Sequence, residues 1–264
     1  MNLEKKGLHF ETAALSDIGR VRKNNEDRLF VIEKEDMHAG SKASLGIYLV
    51  ADGMGGHRGG QVASEIVTRV TPRILLCGLQ NYSKLTLPID FIKHAIAQAN
   101  KEILQTARKE KELYSMGTTC TLGVRLDNSV YLGHVGDSRC YLIRRGRIAQ
   151  LTDDHSPVAH LLKMGAITIE EARKHPDRGK IFRYLGISDN VAVDIRHQKL
   201  HSGDSLVFCS DGLTSQVADN EILDCVRSYR AEETCHRLIE LANSRGGEDN
   251  ISIIVINISF VANI

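Results

Sequence analysis

Residues 117–151 read GTTCTLGVRLDNSVYLGHVGDSRCYLIRRGRIAQL. Four runs rich in branched and aromatic residues, at about 117–126, 129–135, 139–144 and 147–151, are separated only by short turns. Leu126-Asp127-Asn128-Ser129 and Arg145-Gly146 are hairpin corners, because Asp, Asn and Gly accept the backbone angles of a tight reversal. Strands joined this closely are antiparallel, since a parallel pair needs a crossover of about a dozen residues or more.

Outward from this block, further strands are expected at about 8–16, 28–33, 45–51, 193–199, 205–210 and 251–258. Helices are expected at about 60–79 and 89–113; in the second, Ile92, Ile96, Ala99 and Ile103 recur at helical spacing and put an apolar stripe on one face. Cys235, Leu238, Ile239 and Ala242 repeat that pattern on a helix that stops at Gly246-Gly247. With no Pro/Gly/Ser linker and no repeat, residues 1–264 read as one compact layered domain of mixed α and β class. Residues 152–192 differ: they are charged, carry His155, His160 and His175, and contain a capping box in Thr168-Ile169-Glu170-Glu171. They read as a small helical insertion on the surface, either a solvated excursion or a substrate-facing flap.

Composition removes several classes of function. The 264 residues are 42% hydrophobic and 25% charged, which fits a folded globular chain and neither disorder nor a membrane protein. Lys plus Arg total 34 against 33 Asp plus Glu, so no global field collects nucleic acid or anionic lipid, and neither is expected as a partner. No apolar run approaches the ~18 to 20 residues of a membrane span, and the start lacks the apolar core of a signal peptide, so a cytoplasmic location is expected. The cysteines at 77, 120, 140, 209, 225 and 235 show no zinc spacing. None is followed six residues on by the arginine of a thiol phosphatase loop.

The chemistry lies at strand ends. Leu49-Val50-Ala51-Asp52-Gly53, His134-Val135-Gly136-Asp137-Ser138, Phe208-Cys209-Ser210-Asp211-Gly212 and Gly247-Glu248-Asp249-Asn250 each set an aspartate beside a small residue at a strand end, and Glu26-Asp27 precedes another strand. One such Asp-Gly is an ordinary turn. If these ends share one edge, the carboxylates converge, and like charges a few ångströms apart need neutralising. Hard oxygen ligands without a His or Cys cluster select Mg²⁺ or Mn²⁺, and a multinuclear site of that kind serves phosphate-ester hydrolysis. Gly53, Gly55 and Gly59 also resemble a dinucleotide fingerprint. Asp52 would then face a pyrophosphate, and Arg73, not an acid, stands about 20 residues beyond Gly53.

Several stretches resemble, in order, the motifs of the metal-dependent protein phosphatases, also called protein phosphatase 2C, in their compact bacterial form. They are Ser16-Asp17-Ile18-Gly19-Arg20-Val21-Arg22 running to Asn25-Glu26-Asp27, residues 50–60, Met116-Gly117-Thr118-Thr119, residues 133–139, Leu151-Thr152-Asp153-Asp154-His155-Ser156, Arg183-Tyr184-Leu185-Gly186, Ser210-Asp211-Gly212-Leu213 and Gly247-Glu248-Asp249-Asn250-Ile251. The resemblance implies an α+β fold, a four-layer α-β-β-α sandwich of two mainly antiparallel sheets flanked by helices, with residues 152–192 as the family's flap. It implies two Mn²⁺ or Mg²⁺ ions: Asp52 bridging them, the Gly53 carbonyl on the second with Asp27 and Glu26 holding its waters, and Asp211 and Asp249 completing the first. Asp137 resembles the ligand of a third, weaker ion, and Arg22, rather than Arg20, the arginine that binds the substrate phosphate.

The implied activity is that of a protein serine/threonine phosphatase in which a metal-bridging hydroxide attacks phosphorus directly. Eukaryotic members carry a proton-donating His two residues after the bridging Asp; Met54 stands there, which leaves the general acid to His57 or a metal-bound water. Phosphorylated proteins are the expected partners, substrates of a bacterial serine/threonine kinase, acted on by a monomer. The competing readings are a pseudophosphatase that only binds a phosphorylated partner, and a regulatory phosphatase dedicated to one.

Overall fold

The computed structural model describes residues 7–38, 41–55, 58–80 and 88–260. Two five-stranded sheets carry the chain. One runs in the order β1 (Leu8–Asp17), β12 (Ile251–Phe260), β11 (Ser205–Cys209), β8 (Arg139–Arg144), β9 (Arg147–Gln150). The other runs β10 (Asp194–Lys199), β7 (Ser129–Val135), β6 (Cys120–Leu126), β3 (Ser41–Ala51), β2 (Arg28–His38). Every pairing within both sheets is antiparallel.

Three apolar layers hold the sandwich together. Helices α1 (Gly59–Gln80) and α2 (Pro88–Lys109) pack on the second sheet, with Ile92, Ile96, Ala99 and Ile103 fully buried against it. Gly133 lets α2 come this close: a Cβ there would stand 2.4 Å from the Ile92 side chain. Tyr48, Val50, Phe208 and Ile254 fill the space between the sheets. Helices α6 (Asp219–Ser228) and α7 (Ala231–Ser244) cover the first sheet through Ile222, Leu238 and Ile239. The expected four-layer α-β-β-α order is therefore present. Residues 47–51 are buried on both faces of β3, which is why that run is continuously apolar rather than alternating.

The expected strand at 117–126 is two strands, β5 (Gly117–Thr118) and β6, with β5 pairing the short β4 (Gly53–Met54). The break falls at Thr119, whose backbone N–H donates to the Asp52 carbonyl instead of continuing a ladder. The helix expected to reach 113 ends at Lys109, because Glu110 is extended and a 3-10 turn follows over Lys111–Leu113. Helix α6 and the single turn α5 (Asp211–Thr214) are additional to the elements expected from the sequence.

Within 152–192, α3 (Pro157–Lys163) and α4 (Ile169–Lys174) are short, and α4 carries the Thr168/Glu171 capping box. Its ends are not superficial. His155 is buried, and Leu185 is fully buried in the α1/α2 core, bridged to Thr118 by paired backbone hydrogen bonds. Between the sheets Arg125 is buried: 2% exposed, it bonds Glu33, Ser44 and the Tyr48 hydroxyl and lies 3.8 Å over the Phe10 ring. Among the described residues no helix is long and apolar enough to cross a membrane.

Candidate metal centre

Strands β3, β7 and β11 end, and β2, β8 and β12 begin, at one edge of the sandwich. Asp52 follows β3, Asp137 sits in the β7–β8 turn, Asp211 opens α5 after β11, Asp249 precedes β12, and Glu26 and Asp27 precede β2. The aspartates are near enough to feel one another across both sheets. Asp52 is pushed well above the usual carboxylate range by burial and then by the charges of Asp27, Asp211, Asp137 and Asp249. Asp137 is raised in the same way by burial and by Asp211 and Asp154, and Asp211 by burial and Asp249. Burial pushes Asp27 up to about 7, against the Ser210 hydroxyl that steadies its ionised form. Glu26 is raised by burial, an effect that Arg22 opposes. By exposed area Asp27 is buried, while Asp52, Asp137, Asp211 and Asp249 are half-buried, so these four line an edge that solvent reaches.

The backbone around the acids is held firmly. The Asp52 carbonyl accepts from Thr118 Oγ1 at 2.8 Å and from the Thr119 N–H at 2.9 Å, and the Asp52 N–H donates to Thr119 Oγ1 at 2.9 Å. Ser210 Oγ donates to Asp27 Oδ2 at 2.7 Å, whereas Asp27 Oδ1 is buried with no hydrogen-bond partner. The glycines after Asp52 serve close packing of protein on protein. A Cβ on Gly53 would lie 2.2 Å from the Gly60 carbonyl oxygen and 2.6 Å from that of Glu26, and one on Gly60 would lie 2.3 Å from Glu26 Oε2. The start of α1 is thereby seated against the Glu26 loop, an arrangement unlike a pyrophosphate cradle.

Arg22 is 54% exposed, and its Nη2 donates to Asp249 Oδ2 at 2.6 Å. The expected phosphate-binding cation thus stands in the acidic cluster, paired with an expected ligand. His57 lies outside the described residues.

Asn250, which the sequence does not mark as a functional side chain, holds the site together. Its Oδ1 accepts from the Glu26 N–H at 2.8 Å, and its Nδ2 donates to the carbonyls of Ile18 at 2.9 Å and Asn24 at 3.0 Å. One amide pins both ends of the loop that carries Arg22, Glu26 and Asp27. Asn250→Ala is expected to lower kcat/KM by the ~10- to 100-fold typical of losing a supporting partner at a metal site, and to weaken Mn²⁺ binding in a calorimetric titration.

Among the described residues no three His, Cys, Asp or Glu side chains close into a finished ligand set. The acids are gathered without being clamped, as expected for charges that repel one another. Their chemistry nevertheless fits a hard divalent cation: every donor is oxygen, a buried Asp27 oxygen lacks a donor, and each raised carboxyl would be returned to its ionised form by a nearby positive charge. A stability signature follows. Asp27 keeps its proton up to about pH 7 when folded but releases it near pH 4 when unfolded, so its contribution to stability is full below about pH 4 and lost as pH rises towards 7. In EDTA the protein should melt lower at about pH 8 than at about pH 5, and Mn²⁺ should restore more at the higher pH; scanning calorimetry measures both.

The chain matches the family model described as protein phosphatase 2C over residues 23–251. It is 38% identical over 246 residues to serine/threonine phosphatase stp of Listeria welshimeri, covering 91% of this chain and 93% of that protein. It superposes on the crystal structure of the Mycobacterium tuberculosis serine/threonine phosphatase PstP/Ppp with a TM-score of 0.80 at 35% identity, over 94% of this chain and 98% of that one. A structure of the catalytic domain of serine threonine protein phosphatase PstP in complex with 2 manganese ions matches with a TM-score of 0.80 at 34% identity, over 96% of this chain and 99% of that one. With this fold, this acidic edge and these matches over nearly its whole length, the chain belongs to the protein phosphatase 2C family of metal-dependent protein phosphatases.

Proposed function

We propose that the chain hydrolyses phosphoserine and phosphothreonine in protein substrates, as a metal-dependent protein serine/threonine phosphatase. The observation that carries this reading is the crowding of Asp27, Asp52, Asp137, Asp211 and Asp249 at one edge, with a buried Asp27 oxygen lacking any donor.

In this reading Asp52, Asp211 and Asp249 would hold two core cations with the Gly53 carbonyl, Asp27 and Glu26 would hold water on them, and Asp137 would serve a third. Bound divalent cations supply the Lewis acidity that ionises water near neutral pH and stabilises the oxygens of an in-line displacement. The chain's own residues do the rest. Arg22, paired with Asp249 through one nitrogen and otherwise exposed, would offer its guanidinium fork to the phosphoryl oxygens, a group suited to bidentate contact. Thr118 and Thr119 fix the Asp52 backbone, and Ser210 orients Asp27. Met54 cannot donate a proton, so the departing alkoxide is protonated by His57 or by water. The substrates are those of a serine/threonine kinase, met in the cytoplasm by a monomer, with residues 152–192 as the flap beside the site.

The test is hydrolysis of p-nitrophenyl phosphate and of a phosphothreonine peptide with Mn²⁺ and with EDTA. Turnover with Mn²⁺ that EDTA abolishes is the expected result. Metal-independent turnover, or binding of phosphopeptide without any turnover, overturns the reading.

A further inference from the structure

The pole of the sandwich opposite the acidic edge carries a groove of about 590 Å³. Its walls are Arg145 and Gly146 in the β8–β9 turn and Arg227 and Arg230 at the α6–α7 junction; Ser205 and Asn257 form part of its floor. Ser205 Oγ donates to Asn257 Oδ1 at 2.8 Å, and Asn257 Nδ2 donates to Glu11 at 3.4 Å, so the floor is internally bonded. A second hollow of about 450 Å³ shares Arg145 and adds Arg144 and Arg147.

The charges in this region are unevenly matched. Arg144 is held by buried Asp204 at 2.6 Å, so that pair is neutral, whereas Arg145, Arg147, Arg227 and Arg230 have no carboxylate partner among the described residues. Exposed arginines elsewhere are of both kinds, Arg108, Arg237 and Arg245 paired and Arg20 and Arg73 without a carboxylate partner among the described residues, so what sets this pole apart is that its unpaired arginines are grouped around one groove. Arg145, Arg227 and Arg230 line the groove itself, whereas Arg147 lines only the second hollow. The groove also holds Glu11, a carboxylate without an ion-pair partner among the described residues, so the unpaired cations outnumber the unpaired acid three to one and leave a local anion-attracting field. Guanidinium forks match phosphoryl oxygens, and a concave groove suits a chain segment better than a flat surface.

The strands set the distance to the acidic edge. β12 runs from beside Asp249 to the groove at Ser259, and β11 from the groove at Ser205 to beside Asp211. At about 3.3 Å per residue these paths span roughly 20 to 30 Å. An extended peptide covers that distance, with allowance for the curved surface, in about ten residues.

We propose that this groove binds a second phosphoryl group of the phosphoprotein substrate, about ten residues from the one undergoing hydrolysis. The proposal rests on the phosphatase reading above. It makes multiply phosphorylated segments with wide spacing the preferred substrates, because engaging one phosphoryl group raises the effective concentration of the other at the acidic edge.

The experiment compares initial rates on three peptides: singly phosphorylated, doubly phosphorylated about ten residues apart, and doubly phosphorylated about three apart. The wide pair should show a KM about tenfold lower than the single, and the close pair no such gain. Arg227→Glu with Arg230→Glu should raise the wide pair's KM to that of the single peptide, while kcat/KM for p-nitrophenyl phosphate and the melting temperature stay unchanged. Arg145→Gln with Arg227→Gln gives the same readout without charge reversal. Equal KM for all three peptides, an equal gain at close spacing, or a gain retained by both variants overturns the proposal. Inorganic phosphate that occupies the groove as tightly as the peptide, seen by calorimetric titration lost in the double variant, makes it a free-anion site and also overturns it. Should no phosphoester turn over, fluorescence anisotropy with non-hydrolysable phosphonate versions of the peptides still decides the groove, so the two readings fail separately.

Discussion

Asp211→Asn is expected to lower kcat/KM on a phosphothreonine peptide by more than a hundredfold while raising the melting temperature of the metal-free protein. Loss of a mere supporting partner at a metal site costs ~10- to 100-fold, and Asp211 is proposed as a direct ligand, so its effect should exceed that range. The stability effect has the opposite sign for an electrostatic reason. Asp211 adds its charge to the destabilised carboxyls of Asp52 and Asp137, and an amide of the same shape removes that repulsion. Steady-state kinetics with saturating Mn²⁺, calorimetric Mn²⁺ titration and melting in EDTA form the test. A variant that is inactive and also less stable in EDTA indicates structural damage, and a variant with full activity removes Asp211 from the mechanism.

The second large effect is on stability. Arg125→Ala should destabilise the fold by about 3 kcal/mol, the lower end for breaking a buried ion pair, because its partner Glu33 is 31% exposed and water can reach it. For a chain of this size that lowers the melting temperature by on the order of 10 °C. Arg125 spans the space between the sheets from Phe10 to Ser44, so truncation opens a cavity beside the Tyr48 hydroxyl and also strands the Glu33 charge. Arg125→Met strands the Glu33 charge as the alanine variant does but fills most of the volume, so it should lose clearly less, and the difference measures the packing contribution. Equal losses would mean that packing contributes nothing there.

The elements written in local chemistry were the ones legible in the sequence. The hairpin corners predicted at Asp127 and at Arg145-Gly146 do adopt positive φ angles of 50°, 51° and 72°. The stripe on α2 is buried as its spacing requires. What local pattern could not disclose was which sheet each strand joins. The block 117–151 splits between both sheets at the Gly136-Asp137-Ser138 turn, and a period of two is the same in either. Helix α6 escaped notice because few of its positions face the core, Ile222 and Val226 being its buried pair. The gathering of Asp52, Asp137, Asp211 and Asp249 was legible as four similar strand ends, with Glu26-Asp27 as a fifth acidic site before a strand. Asn250 was not legible as a clamp: it bonds groups more than 220 residues earlier in the chain, contacts that exist only once β1 and β12 are side by side. Arg125 gave no signal either, because a charged residue on a strand reads as solvent-facing until the second sheet covers it.

The pairing of β1 with β12, in register from Leu8 opposite Phe260 to Asp17 opposite Ile251, joins the two most distant strands of the chain. During synthesis the second sheet has all its strands once Lys199 has emerged, but β1 waits without its neighbour until residues 251–260 follow. Asp249 and the Asn250 clamp arrive in that same last stretch. Loop closure over such a separation is slow compared with forming a hairpin, so completion of the acidic edge is expected to follow the local hairpins. A chain cut before residue 249 therefore lacks Asp249, the Asn250 clamp and the strand that pairs with β1 and packs on Tyr48 and Val50, and it should show no activity.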